Sequence, residues 1–252
     1  MKKIGHFILF MALLIALPAG DAEASQYRGA VDHGIYANLL KKYAQGGLVN
    51  YRGFKNEEAR LDQYLALLEK ISTKALSPNE RFAFYINAYN AWTIKLILSR
   101  YPDIKSIKDL GTLFKSPWKK EIARIDGETL TLDHIEHNIL RPRFKDPRVH
   151  FAINCASIGC PPLLPEPYRG ISLNRQLDEV TRTFINDPKR YRLEGRILYV
   201  SEIFDWFEGD FNSDVIGFFL KYAEEGLKKR LLDQRDEIKV KHLDYDWSLN
   251  GK

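Results

Sequence analysis

The stretch S-P-N-E-R-F-A-F-Y-I-N-A-Y-N-A-W-T-I-K-L-I-L, residues 77–98, decides how the fold is read. Ser77, Pro78 and Glu80 supply a cap residue, a proline at the first helical position and an acid at the third, a signature of a helix start. The helix is predicted to run to about Arg100, just before Pro102. Phe82, Phe84, Tyr85, Ile86, Tyr89, Trp92 and Ile94, with residues 96–98, cover nearly its whole circumference. A helix that is apolar all round belongs in the middle of a domain. Asn87 and Asn90 lie three apart on one side of it. They must be paired, because an unpaired buried amide costs about 1–3 kcal/mol. Either they bond to neighbouring backbone and fix the helix, or they orient a catalytic side chain or bind a ligand.

Working outward, helical spacing predicts a helix over 31–44, ended by Gly46-Gly47, a short strand over 48–54, and a second helix from Asn56 as N-cap to Ile71. A hairpin over 122–130 turns at Asp126-Gly127, a preferred two-residue turn. Thr131 then caps a short helix over 132–140, with Pro142 following at once. Residues 148–155, R-V-H-F-A-I-N-C, are β-branched and aromatic and read as the best strand in the chain. A helix from Ser172, a hairpin over 191–200, a helical stretch over 203–219 and a basic helix running into a strand over 221–241 complete the pattern. The fold class is therefore α+β, several helices packed around a small, largely antiparallel sheet with one buried aromatic-rich central helix.

The chain has 252 residues, 45% hydrophobic and 28% charged, which excludes disordered, collagen-like and multi-span membrane proteins. Lys and Arg number 38 against 33 Asp and Glu, a net +5 too small to point to nucleic acid. Lys2 and Lys3 precede an apolar run from Phe7 to Leu17, then Pro18 and an A-x-A step at Ala22-Glu23-Ala24. This is the pattern of a secretory signal, with cleavage expected before Ser25. The run is too short for a permanent span. Residues 1–24 are thus read as a signal peptide and 25–252 as a single domain, exported to the periplasm or beyond the cell.

Chemistry centres on Cys155, at the end of the expected strand. Strand alternation turns His150 away from Cys155, so the expected base is His137, on the helix after the hairpin, with Glu136, Asn87 or Asn90 holding its other ring nitrogen. The backbone N–H groups of Ala156, Ser157 and Ile158 could stabilise an oxyanion. Arg141 could fix a substrate carboxylate by a bidentate bond. Phe204-Asp205-Trp206 and Tyr245-Asp246-Trp247 suggest a groove in which Trp206 and Trp247 stack on a ligand while Asp205 and Asp246 accept its hydrogen bonds. Three alternatives stay open: Cys155 as a small buried side chain, a Cys155–Cys160 disulfide, and a zinc site from His134, His137, Cys155 and Cys160. No phosphate loop or other cofactor motif is present.

The blocks F-Y-I-N-A-Y-N-A at 84–91, T-L-D-H-I-E-H-N-I-L-R at 131–141, D-P-R-V-H-F-A-I-N-C-A-S-I-G-C-P-P-L at 146–163, F-D-W-F-E-G-D-F at 204–211 and Y-D-W-S-L-N at 245–250 resemble the domain of unknown function 547 (DUF547) family. The resemblance spans about residues 75–250. It implies no general activity. Its recurrent I-x-H-x-x-L-R and A-x-x-C blocks fall on His137, Arg141 and Cys155, and Cys160 is the less constant cysteine, which weighs against the disulfide and the zinc site. The leading expectation is a cysteine-dependent hydrolase or acyl/amide transferase acting on peptide- or peptidoglycan-like envelope material. The competing one is a non-catalytic envelope module whose Cys, His and Asn form a core network.

Overall fold

A computed structural model describes residues 29–112 and 114–251, so the expected signal peptide lies outside the described residues. In chain order, helix α1 (Gly34–Tyr43) leads through a two-residue-per-strand hairpin, β1 (Ala44–Gln45) and β2 (Leu48–Val49), into α2 (Tyr51–Asn56) and α3 (Glu58–Glu69). The central helix α4 is Pro78–Leu98. Hairpin β3 (Glu121–Ile125) and β4 (Glu128–Thr131) precedes α5 (Leu132–His134), a π-helical turn (Ile135–Leu140) and α6 (Arg141–Phe144). The chain continues through α7 (Leu173–Asn186), β5 (Tyr191–Glu194), β6 (Ile197–Ser201), α8 (Ile203–Trp206), α9 (Val215–Tyr222), α10 (Glu225–Leu232) and β7 (Lys239–Leu243). The class is α+β. Among the described residues the strands form three separate small sheets, antiparallel except that β7 runs parallel to β6.

Helix α4 is the axis of the molecule. Ser77 caps it by accepting from the Glu80 N–H, and Phe82 through Asn90 are all buried. It packs on α2, α3, β3 and the π turn. Glu80 does not close a capping box; its buried carboxylate accepts from the N–H groups of Val31 at 2.9 Å and Gly170 at 2.7 Å. A Cβ at Gly170 would lie 2.5 Å from that carboxylate, so the contact demands glycine there.

The two amides on α4 do what strands do elsewhere. Asn87 donates to the Tyr168 carbonyl at 2.8 Å and accepts from the Tyr168 N–H at 2.9 Å. Asn90 donates to the Ala152 carbonyl at 2.9 Å and accepts from the Asn154 N–H at 2.8 Å. The second proton on the Asn87 nitrogen points at His33 Nε2, 3.3 Å away, so the buried His33 is neutral and gives its Nδ1 proton to Tyr64 at 2.7 Å. Burial pushes the His33 pKa down to about 4.

These contacts explain the main departure from expectation. Residues 148–155 do not form a strand: Pro147–Phe151 is a 3₁₀ turn, and 152–155 is loop. Pro147 removes a donor and fixes φ at the start of the turn, while Asp146 accepts from the Arg148 N–H. Val149 and Phe151 still reach the core, and the loop finds its partners on Asn90 instead of a neighbouring strand.

Other boundaries also moved. Residues 51–54 are helix rather than strand because Asn50 caps α2 by accepting from the Gly53 N–H, and the next helix starts at Glu58 rather than after Asn56. The helix behind Thr131 does not stop before Pro142. It widens into the π turn, which accommodates the missing proline donor, and ends at Phe144. The stretch 203–219 is broken by a 3₁₀ turn at Glu208–Phe211 and by left-handed Asn212 and Ser213.

Asn90→Leu would leave the Ala152 carbonyl and the Asn154 N–H buried without partners. Urea unfolding should show a loss of about 2–4 kcal/mol, and a loss below about 1 kcal/mol would mean that the amide is not what holds the loop.

Candidate active site

A cleft of about 220 Å³ opens where the π turn, the 3₁₀ turn, α8 and the 245–247 segment meet. Trp118, Trp206, Phe207, Tyr245 and Trp247 supply aromatic walls, and Asp133, Glu136, His137, His150, Cys155 and Cys160 supply the polar groups. Trp206 and Trp247 stack at 5.5 Å between centroids, with Tyr245 tilted against both. The 245–250 segment is held on the cysteine loop by backbone bonds from Ile158 to Ser248 and from Gly159 to Asp246, each 2.8 Å, and from Asn250 to Ala156 at 3.0 Å. A Cβ at Gly159 would come within 2.7 Å of the Tyr245 ring, so glycine lets that ring lie across the loop.

The sulfurs of Cys155 and Cys160 are bonded, with Cα atoms 6.0 Å apart. Both cysteines line the cleft, Cys160 buried and Cys155 partly exposed. Cys155 therefore offers no free thiol in this state, and neither sulfur is available to the zinc arrangement. The disulfide alternative is the one realised, against the inference drawn from the family's less constant second cysteine. Two of the three expected oxyanion donors are occupied as well: the Ala156 N–H donates to Asn154 Oδ1 at 2.9 Å and the Ile158 N–H to the Ser248 carbonyl at 2.8 Å.

The imidazole placed for chemistry is His150. It is buried, stacks on Phe207 at 4.0 Å, and donates from Nε2 to Asp210 at 2.8 Å. Its Nδ1 is buried and has no hydrogen-bond partner among the described residues. Asp210 also accepts from Arg141 Nε at 2.6 Å and Nη2 at 3.2 Å. The His150 hydrogen bond and then Arg141 hold the Asp210 carboxyl far below the usual carboxylate range. Burial lowers the His150 pKa and outweighs the pull of Asp210, so the pair is a neutral imidazole against a carboxylate. A turn replaces the expected strand, so the alternation that turned His150 away from Cys155 does not apply, and both residues line one cleft.

His137 reaches the same cleft in a different state. Arg141 Nη1 donates to its Nδ1 at 2.9 Å, which leaves the proton on Nε2, 4.0 Å from Asp133 Oδ1. It is thus a donor toward the cleft rather than the expected base. Burial, reinforced by Arg141, depresses its pKa against the pull of Asp133. Arg141 spends its fork on Asp210 and His137 and lies over Phe207, leaving no bidentate face for a substrate carboxylate. Asn87 and Asn90 bind loop backbone, not His137. Asp205 is exposed and lines a different depression with Phe204, Glu208 and His242, and exposed Asp246 accepts from the Ser248 N–H; neither lines the cleft. Of the expected binding residues, Trp206 and Trp247 line the cleft.

Glu136 is the second group with unusual chemistry. It is buried at the cleft, accepts from the Tyr89 hydroxyl at 3.1 Å, and burial pushes its pKa up to about 7. A carboxyl of that kind is a proton donor through most of the range below neutrality. His150 and Asp210 were missed because the strand reading oriented His150 wrongly. The signal that could have found them is Asp146-Pro147, a cap residue followed by a first-position proline, which starts a helical turn.

Glu136 links stability to pH. Its folded pKa is raised, so its contribution is fully present below the unfolded value near 4.5 and is lost as pH rises through about 7. His33 acts oppositely, with stability lost as pH falls from 6.5 to about 4. Between pH 6.5 and 8 the melting temperature should therefore fall, and Glu136→Gln should flatten that limb; an unchanged limb in the variant would show that Glu136 ionises as an ordinary carboxylate.

Among the described residues, no group of three or more His, Cys, Asp or Glu is arranged to hold a metal ion. No curated protein and no solved structure matches the chain. Residues 73–185, which carry α4, the π turn, the 3₁₀ turn and both cysteines, match the family model described as protein of unknown function, DUF547.

Proposed function

We propose that the chain is an exported thiol-dependent hydrolase or acyl/amide transferase acting on peptide- or peptidoglycan-like envelope material, with Cys155 as nucleophile once reduced, His150 as base and Asp210 as positioning residue. The observation that carries the reading is the His150–Asp210 pair: one ring nitrogen is committed to a carboxylate and the other has no partner among the described residues, in the cleft that Cys155 lines. A carboxylate that fixes the tautomer and orientation of an imidazole is what a base for a thiol requires. The Cys155 proton passes to His150 Nδ1, the thiolate adds to the acyl carbon, and the leaving amine or alkoxide departs with that proton. Water or an acceptor amine then releases the acyl group. Glu136 supplies a second proton donor for a substrate oxygen. The aromatic walls suit ring faces and apolar side chains.

Export accords with the pattern of residues 1–24 and with a disulfide, which persists in oxidising compartments. The bonded sulfurs also favour one competing reading, a non-catalytic envelope binding module in which the disulfide is a staple. Peptidoglycan fragments and short peptide esters, offered to the chain with and without a dithiol reductant, separate the two. Turnover should appear only with reductant, and Cys155→Ser or His150→Gln should lower kcat/KM by about 10²–10⁴. Turnover retained by Cys155→Ser would end the thiol reading, and binding without turnover in the reduced chain would establish the module. The rate should fall above about pH 7 as Glu136 ionises, and Glu136→Gln should remove that fall along with most of the activity.

A further inference from the structure

Cys160 Sγ sits among donors. The Cys155 N–H points at it from 2.8 Å and the Tyr245 hydroxyl from 3.2 Å, the latter shared with Cys155 Sγ at 3.2 Å. Arg190 brings its guanidinium to the same turn by donating to the Cys160 carbonyl at 2.9 Å. A disulfide that serves only as a staple needs none of this, because divalent sulfur is a weak acceptor. A thiolate gains from the two donors directly and from a cation held on the same residue's carbonyl, since both favour sulfur carrying negative charge. Cys160 is also the buried partner, whereas Cys155 is partly exposed at the cleft. The donors thus gather on the sulfur of the less exposed cysteine, while Cys155 presents the more open face to the cleft.

The geometry points to a second activity, thiol–disulfide exchange, in which a thiol entering the aromatic cleft attacks Cys155 Sγ and Cys160 leaves as the stabilised thiolate. The incoming thiolate forms a new S–S bond to Cys155. The Cys155–Cys160 bond breaks, and its electron pair goes to Cys160 Sγ, held by the Tyr245 hydroxyl and the Cys155 N–H. A second thiol then attacks the mixed disulfide at the sulfur of the first, releasing an oxidised pair and a Cys155 thiol. Two substrate thiols are oxidised, and the protein disulfide is reduced to two thiols. Tyr245 stays a donor throughout, because burial raises its pKa. The walls of Trp206, Phe207 and Trp247 favour a cysteine flanked by apolar residues over a small polar thiol. This activity stands apart from acyl chemistry and requires no substrate of it.

The test uses the purified oxidised chain without denaturant. It is incubated with reduced glutathione or with a peptide carrying one cysteine between apolar residues, quenched in acid and mapped by mass spectrometry. The adduct should lie on Cys155 with Cys160 free, and the peptide should react faster than glutathione; faster glutathione would instead assign the exchange to small thiols. Tyr245→Phe should slow adduct formation about tenfold or more, the range of a lost hydrogen bond to charged sulfur. The fold of that variant is checked by circular dichroism, and should it fail to fold, the adduct position in the unaltered chain decides. An adduct on Cys160, or none until the chain is unfolded, would overturn the inference.

Discussion

Two carboxamides on one buried helix hold the functional half of this molecule in place. Asn87 and Asn90 each present a donor and an acceptor at the spacing of a peptide group, and each clips onto one loop, at Tyr168 and at Ala152 with Asn154. A loop buried in the interior normally lacks partners for its backbone. Here the helix provides them, and the segment that carries His150 and Cys155 can be buried without joining a sheet. The cost of burying two amides is offset by four backbone bonds that would otherwise be missing.

The second constraint is the π turn. Pro142 cannot donate to the helix, and a regular helix through it would leave a carbonyl open. Widening the preceding turn carries the helix past the proline and brings Glu136 and His137 to the cleft while Arg141 reaches Asp210. Arg141, Asp210 and His150 then form a chain in which each group sets the state of the next: the guanidinium keeps the carboxylate charged, the carboxylate fixes the imidazole tautomer, and burial keeps that imidazole neutral.

Much of the architecture was legible from local chemistry. The apolar circumference of residues 77–98 identified the central helix, Asp126-Gly127 the hairpin, and the demand that Asn87 and Asn90 be paired anticipated their role as backbone partners. What failed was long-range. Period-two alternation in R-V-H-F-A-I-N-C is shared by a strand and by a turn whose apolar residues happen to face one core, and only the Asn90 contact, distant in sequence, decides between them. The same error turned His150 away from the site. Arg141 looked free for a substrate because Asp210, 69 positions on, is invisible to local reasoning.

The strip from Tyr245 to Asn250 is laid on the cysteine loop as an extra rail, and Asn250 reaches Tyr51 and Asn154 at once. Synthesis therefore delivers the floor of the cleft long before its cover. Until that strip emerges, the loop between Cys155 and Cys160 has no backbone partner there and its sulfurs lie uncovered by Tyr245. Closure of the cleft over that loop therefore waits for residues 245–250, whose backbone and Tyr245 complete it.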